Sequence, residues 1–180
     1  MPAHTLLGIS GSLRKGSFNS KLIREAARLF DPESFTEADL NLPLYNGDIE
    51  EAEGIPAPVA KLADQIAAAD AVVISGPEYN KAISGVLKNA LDWISRTKPN
   101  PWAGKPVAVM SAAAGRAGGE QTQALLRHCM TPFTPQMLYG PGVWVAGAAQ
   151  QFDDDGRLTN EQNLQSLSDL MEALRAKIAA

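Results

Sequence analysis

Short apolar runs alternate along this chain with longer segments in which apolar residues recur at helical spacing. A run at residues 5–9 comes before a helical segment that stops at the Asp31-Pro32 pair, where proline disfavours continuation of the helix. Later runs at residues 71–75 and 104–111 are flanked by helical segments in the same way. Such alternation predicts an α/β chain in which helices cover both faces of a parallel sheet.

The full set of predicted elements defines a strand order. We expect strands at residues 5–9, 35–40, 71–75, 104–111 and 136–145. Helices are expected at residues 22–30, 59–66, 84–94, 121–130 and 164–178, and residues 41–58 are expected to form a surface loop. This pattern favours a flavodoxin-like three-layer sandwich with a five-stranded parallel sheet of order 2-1-3-4-5. A length of 180 residues fits one domain over residues 1–180.

Composition narrows the class of partner. The net charge of −4 and the scattered basic residues argue against nucleic-acid binding, which needs a basic surface. No stretch reaches the roughly 20 apolar residues of a membrane span, so we expect no membrane association. The single cysteine, Cys129, excludes an internal disulfide framework and gives no metal-binding pattern, which favours the cytoplasm. Small molecules are the expected partners, and no metal is predicted.

Three loops rich in glycine, serine, asparagine or proline follow the first, third and fourth predicted strands. They cover residues 10–19, 76–85 and 111–119, and each ends where a helix is expected to begin. In open α/β sheets, ligands bind beyond the carboxyl ends of the strands where the strand order reverses. We therefore expect these three loops to form one site.

The first loop has the composition of a phosphate-binding turn. Serine hydroxyls, an asparagine amide, an arginine and the N–H groups at a helix start all donate to anions. The side chains concerned are those of Ser10, Ser12, Arg14, Ser17 and Asn19. Serine or asparagine in such a position is equally compatible with a helix cap, so the prediction depends on several donors occurring together.

The same loop is close to a Walker P-loop but departs from it at the decisive position. Gly11 and Gly16 have the required spacing, yet Ser17 stands where that motif needs a lysine. The chain also contains no G-x-G-x-x-G. Triphosphate and Rossmann dinucleotide binding are therefore both unsupported.

The other two loops suit a flat heterocycle. The second contains Pro77, Glu78, Tyr79 and Asn80, which together offer a constrained turn, an aromatic surface and polar groups. The third contains Ala112, Ala113, Ala114 and Gly115, whose small side chains permit close approach. Taken singly, the second is more typical of an ordinary proline-containing loop, and the alternative interpretation of the third is a flexible linker.

Four motifs in order carry a family resemblance over about residues 6–127. They are GSLRKGSFN at residues 11–19, LPLYNGD at 42–48, GPEYN at 76–80 and LKNALDW at 87–93. The sequence resembles the NAD(P)H-dependent FMN reductase family, specifically its bacterial quinone and chromate reductase branch. The resemblance implies FMN as cofactor, NADPH or NADH as co-substrate, and a homodimer or homotetramer with the flavin near a subunit interface.

The resemblance also implies which residues contact FMN. Residues of the first loop would bind the phosphate, those of the second would hold the isoalloxazine ring, and those of the third would lie on the other side of the ring. The predicted contacts are Ser10, Ser12, Arg14, Ser17, Phe18, Asn19, Pro77, Glu78, Tyr79, Asn80, Ser111 and Gly115. The chain departs from the family pattern around the ring at Ser84, Ala112, Ala113 and Gln121, which bears on acceptor and cofactor preference.

The function expected from these residues is FMN-dependent oxidoreduction, in which a hydride passes from nicotinamide through FMN to a small acceptor. A quinone, a free flavin, an azo compound or chromate would serve as the acceptor. FMN carries the chemistry, so no catalytic side chain is predicted. The alternative is a flavodoxin-type electron carrier without NAD(P)H activity, which would be expected to show a strongly acidic docking surface. The modest net charge, with Arg14 and Lys15 beside the site, favours the reductase.

Overall fold

A computed structural model describes residues 4–179 of the chain. The strands are β1 (Thr5–Ser10), β2 (Ser34–Glu37), β3 (Ala71–Ser75), β4 (Pro106–Ala112), β5 (Gln136–Met137) and β6 (Trp144–Val145). The α-helices are α1 (Phe18–Phe30), α2 (Gly47–Glu53), α3 (Ala57–Ala68), α4 (Gly85–Ile94), α5 (Glu120–Met130) and α6 (Glu161–Ile178). Short 3₁₀ turns lie at Thr131–Phe133 and Ala148–Gln150.

The sheet has the predicted strand order. Its order is β2-β1-β3-β4-β5, and every pairing is parallel. Ser10 at the end of β1 lies beside Ser75 at the end of β3, and Ser75 lies beside Met110 of β4. The carboxyl ends of the three central strands therefore meet at one edge of the sheet, which confirms the flavodoxin-like fold.

The predicted last strand at residues 136–145 is wrong as a continuous element. β5 pairs with the start of β4, and β6 pairs with the end of β4. Between them, residues 139–142 leave the ladder, and this segment contains two glycines and Pro141, which has no N–H to donate. The sheet edge is thus an interrupted strand, giving six strands among the described residues rather than five.

The expected loop at residues 41–58 contains a helix, α2. Its N-cap is Asn46, whose Oδ1 accepts a hydrogen bond from the Asp48 N–H at 3.0 Å. The helix buries no residue, so it lacks the apolar periodicity on which helix prediction depends. With α2, the described chain has six α-helices rather than the five expected.

Two hydrophobic clusters fill the space on the two sides of the sheet. Val72 and Ile74 of β3 point into the cluster formed with α3, α4 and α5, whereas Ala71 and Val73 point into the cluster formed with α1 and α6. All five residues of β3 are buried, as expected for a central strand covered on both faces. Among residues 4–179, no helix is both long and apolar enough to cross a membrane.

Candidate functional site

The three predicted loops come together at the carboxyl edge of the sheet. Backbone hydrogen bonds continue past the strand ends, from Gly11 N to Ser75 O at 2.8 Å and from Gly76 N to Met110 O at 3.3 Å. An open cleft of about 190 Å³ lies between the loops. Its walls are formed by Ser12, Arg14, Gly16, Ser17, Phe18, Asn19, Pro77, Glu78, Tyr79, Ala112, Ala113 and Ala114.

One end of the cleft is the start of α1. Ser17 is the N-cap, and its Oγ accepts a hydrogen bond from the Ser20 N–H at 3.2 Å. The helix geometry leaves the N–H groups of Phe18 and Asn19 without intrahelical partners, so they are available to an anion. Arg14 beside them is exposed and makes no ion pair with any residue from 4 to 179.

This donor set fits the phosphate of FMN. The hydroxyls of Ser12 and Ser17, the guanidinium of Arg14 and the first-turn N–H groups are all hydrogen-bond donors. The first loop contributes no carboxylate to the cleft wall, so nothing there would repel a dianion. Charge-assisted bonds from arginine to phosphate are stronger than neutral ones.

The other end of the cleft is shaped for a flat ring. Tyr79 is 51% exposed, at the tip of a tight turn in which Tyr79 and Ala82 exchange backbone hydrogen bonds of 3.1 and 3.0 Å. Ala112, Ala113 and Ala114 also line the cleft, and their side chains are small. An aromatic surface and a run of small side chains in one cleft are compatible with the isoalloxazine ring.

Glu78 lies on the cleft wall but its carboxylate is held by neighbouring residues. One oxygen accepts a hydrogen bond from the Gln121 N–H at 3.0 Å, and the other lies 3.5 Å from Lys81 Nζ. Thr122 Oγ1 also donates to the Pro77 carbonyl at 3.1 Å. The second loop is therefore fastened to the start of α5.

The structure does not place all of the predicted contacts on the cleft wall. Ser10, Asn80, Ser111 and Gly115 are absent from the lining. The hydroxyl of Ser10 accepts from Ser20 Oγ at 2.9 Å, and that of Ser111 donates to the Gly118 carbonyl at 2.6 Å. Both serines are buried beneath the cleft. They belong to a set of buried polar side chains that we call the floor, namely Ser10, Asn19, Ser75, Ser111, Thr122 and Gln123.

Polar residues of the floor were missing from the sequence-based site. Gln123 Nε2 donates to Ser111 Oγ at 2.8 Å and to the Val143 carbonyl at 2.7 Å, which joins α5 to the interrupted edge strand. Gln123 Oε1 accepts from Arg127 at 3.3 Å, and burial lowers the pKa of that guanidinium. Gln123 and Thr122 lie three and four residues before buried Leu126, so helical spacing alone places both on the buried face.

Ser84, a departure from the family pattern, has a clear role. Its Oγ accepts from the Leu87 N–H at 3.2 Å, which caps α4, and donates to the Gly11 carbonyl at 2.7 Å. Gly11 itself passes so close to the second loop that an added Cβ would lie 3.2 Å from Pro77 Cδ. Ser84 therefore ties the second loop to the first.

A flavodoxin-like sheet with a cleft at the strand ends, bordered by a donor-rich turn at a helix start, is the architecture of the flavodoxin class, which binds FMN at this position. Residues 4–151 match the family described as NADPH-dependent FMN reductase. An NAD(P)H-dependent FMN reductase of Pseudomonas aeruginosa is 42% identical, over 94% of this chain and 92% of the relative. A quinone reductase of Escherichia coli is 38% identical, over 91% and 89%. The solved structure of FerB from Paracoccus denitrificans, a flavoenzyme NAD(P)H:(acceptor) oxidoreductase, superposes with a TM-score of 0.88 at 33% identity, covering 98% of both chains.

The chain belongs to the NADPH-dependent FMN reductase family. It is an oxidoreductase that uses FMN and NAD(P)H and acts on small-molecule acceptors. These findings confirm the family, the enzyme class and the cofactors expected from the four motifs. The individual FMN contacts stay predictions.

Proposed function

We propose that this enzyme passes electrons from NAD(P)H to quinones and similar flat acceptors, with FMN bound in the cleft. The observation that carries the proposal is the pairing of two surfaces in one cleft. A turn with Arg14 and serine hydroxyls borders the same cleft as the Tyr79 ring and the small residues Ala112, Ala113 and Ala114. This arrangement matches a ligand with an anionic end and a flat aromatic end.

The chain's own residues would hold and orient the cofactor. Ser12, Arg14 and Ser17 bind the phosphate together with the N–H groups at the start of α1. Pro77 and Tyr79 would contact the ring together with Ala112, Ala113 and Ala114, and one face of the ring would stay open to nicotinamide and to the acceptor. FMN, when bound, supplies the two-electron chemistry that links NAD(P)H to the acceptor.

Acceptor choice follows from the open side of the cleft. Among the residues that form its walls there is no histidine or cysteine, and the Glu78 carboxylate is already bonded to Gln121 N and near Lys81. The protein therefore offers orientation rather than a dedicated proton donor, and acceptors are selected by flatness and access. Quinones, free flavins and azo compounds are flat acceptors of this kind, whereas chromate, a tetrahedral anion, would depend on access alone.

A spectroscopic experiment tests the proposal and separates it from the carrier alternative. The FMN-loaded protein is mixed anaerobically with NADPH or NADH, and flavin absorbance is followed. We expect rapid bleaching that is reversed by added benzoquinone. A protein that binds FMN but bleaches only with dithionite would indicate a flavodoxin-type carrier, and a protein that takes up no FMN would overturn the assignment of the cleft.

We propose further that the chain is one cytoplasmic domain that assembles as a homodimer or homotetramer. Support for assembly comes from large apolar side chains on the surface, with Leu44 81% and Tyr139 82% exposed. Sedimentation velocity at micromolar concentration should give two or four times the 19.1 kDa chain mass, and a monomer would contradict the proposal.

Cell fractionation tests the location, and a single cooperative unfolding transition of the flavin-free protein tests the domain assignment.

A further inference from the structure

Asn19 lies in the first turn of α1, and its side chain points into the floor beneath the cleft with only 4% of the residue exposed. Its Oδ1 accepts hydrogen bonds from Ser75 Oγ at 2.8 Å and from the Ala112 N–H at 3.0 Å. Its Nδ2 donates to the Ala112 carbonyl at 3.0 Å. Ser75 ends β3 and Ala112 ends β4, so one amide joins the helix of the first loop to the strands that carry the other two.

The bonding capacity of this amide is almost fully used inside the protein. A side-chain carbonyl oxygen has two lone pairs, and both already have donors. The Asn19 amide pairs with the N–H and the C=O of a single residue, as a neighbouring strand would pair with that residue. Ser75 and Ala112 are themselves buried, so water cannot replace the bonds that Asn19 makes.

We propose that Asn19 is a positioning residue whose side chain sets the separation of the three FMN-binding loops and does not bind the phosphate. The proposal rests on the proposed cofactor site. If Asn19 bound the phosphate, removing its side chain would weaken only the contacts at the phosphate end of FMN. A residue that fixes all three loops affects the ring end equally, because the loops at both ends shift when the amide is removed.

Comparing FMN with riboflavin, which lacks the phosphate, separates the two roles. Affinities of Asn19→Ala for both flavins are measured by quenching of flavin fluorescence. We expect both to fall by a similar factor, about 10- to 100-fold, because three buried polar groups lose their partners. A loss confined to FMN would assign Asn19 to the phosphate and overturn the proposal.

Two variants provide matched controls. Arg14→Ala should weaken FMN while leaving riboflavin unchanged, since Arg14 acts on the phosphate. Asn89→Ala should leave both affinities unchanged. Asn89 is also a loop-holding amide, with Oδ1 accepting from Tyr45 N at 2.9 Å and Nδ2 donating to the Pro43 carbonyl at 3.0 Å, but it holds a loop outside the cleft.

Hydrogen exchange of the flavin-free protein gives a readout independent of cofactor and activity. Asn19→Ala should speed exchange at residues 75–80 and 111–115, and Arg14→Ala should not. If Asn19→Ala does not fold, Ser75→Ala removes only one of the three bonds and should show the same pattern with smaller changes. Unchanged exchange in both segments would contradict the positioning role. A wild-type protein that binds neither flavin would contradict the proposed function, and the exchange comparison would still test the role of Asn19.

Discussion

The two ends of the sheet are held together by different chemistry. At the carboxyl end, uncharged buried side chains join the loops beneath the cleft, as Asn19, Gln123 and Ser111 do, and Glu78 adds a charged contact on the cleft wall. At the amino end, charged and partly exposed side chains do the joining. Asp70 accepts from Thr5 N at 2.7 Å and from Thr5 Oγ1 at 3.0 Å, and Lys105 Nζ donates to the carbonyls of Ala67 and Ala69 at the end of α3.

Because of this difference, the side chains that hold the loops in position at the cofactor site are not the side chains that carry its charge. Burying an ionised group is costly, whereas a buried neutral group is tolerated once it is hydrogen-bonded. The side chains of Asn19, Ser111 and Gln123 add no fixed charge of their own beneath the cofactor, and the charge bonded to them is the partly buried guanidinium of Arg127, on Gln123 Oε1. The charged residues on the cleft wall, here called its rim, are Arg14 and Glu78, and the Glu78 carboxylate lies 3.5 Å from Lys81 Nζ. Floor substitutions should therefore alter stability, and rim substitutions should alter phosphate binding.

The largest expected effect is at Gln123. Gln123→Leu keeps the volume but leaves Ser111 Oγ and the Val143 carbonyl without the donor they now share, and Arg127 without its acceptor. Ser111 Oγ keeps its bond to the Gly118 carbonyl, and the Val143 carbonyl keeps its bond from the Ser111 N–H, so the variant loses three hydrogen bonds without leaving either group unpaired. We expect a loss of about 3–4 kcal/mol in the free energy of unfolding, since a neutral hydrogen bond contributes about 0.5–1.5 kcal/mol and one from a charged group about 1.5–3 kcal/mol. Urea denaturation of the flavin-free protein measures it.

Gln121→Leu is the matched control, because Gln121 lies on the same helix with its side chain exposed. Its backbone N–H, which donates to Glu78, is retained in the variant. We expect a change within about 0.5 kcal/mol. Equal losses at the two positions would show that the neutral floor network contributes nothing specific to stability.

The next effect in size is at Gly119. Its φ of +90° disfavours any residue with a side chain, and an added Cβ would lie 2.8 Å from Ser111 Cβ. Gly119→Ala should cost about 2–3 kcal/mol in the free energy of unfolding. At Gly115 an added Cβ meets nothing within 4 Å, so Gly115→Ala should leave stability nearly unchanged. A stable Gly119→Ala variant would show that the third loop adapts freely.

A rim substitution should change binding without changing stability. We expect Arg14→Ala to weaken FMN binding about tenfold, equivalent to about 1.4 kcal/mol, through loss of charge-assisted bonds to the phosphate. The melting temperature of the flavin-free protein should stay the same. Lys61→Ala, which removes an exposed charge on α3, should leave FMN affinity unchanged. Equal weakening by both variants would indicate a general charge effect rather than a contact.

The sequence predicted the strand order and the cleft better than the floor. The central strands and the first loop carry local signals, namely apolar runs and a cluster of donors before a helix. The prediction of one strand at residues 136–145 was wrong because Pro141 and its flanking glycines disfavour pairing at the sheet edge. The local apolar pattern does not show whether pairing or interruption prevails. The partners of Asn19 are 56 and 93 residues away in sequence, so only the folded chain shows that its amide is used internally.

The smallest expected effect is at the amino end of the sheet. The backbone N–H of Thr5 holds the pKa of Asp70 below its ordinary value of 3.8, with a further lowering from the Thr5 hydroxyl. A carboxyl with a lowered pKa in the folded protein stabilises it above the unfolded pKa, and this contribution disappears as the pH falls through the folded pKa. Because the side chain is 44% exposed and screened by solvent, we expect Asp70→Asn to cost less than about 1 kcal/mol at pH 7.

The pH dependence distinguishes this effect from a loss of packing. The free energies of unfolding of the wild type and Asp70→Asn should differ at pH 7 and converge as the pH falls through the lowered folded-state pKa of Asp70, where the wild-type carboxyl becomes protonated too. Asp64 is an exposed carboxylate on α3. The free energy of unfolding of Asp64→Asn should equal that of the wild type at pH 7, so no convergence at low pH is expected. If the free energies of unfolding of the wild type and Asp70→Asn differed by the same amount at all pH values, the charge of Asp70 would not stabilise the amino end of the sheet. The two ends of the sheet would then differ only in position and not in the chemistry that holds them.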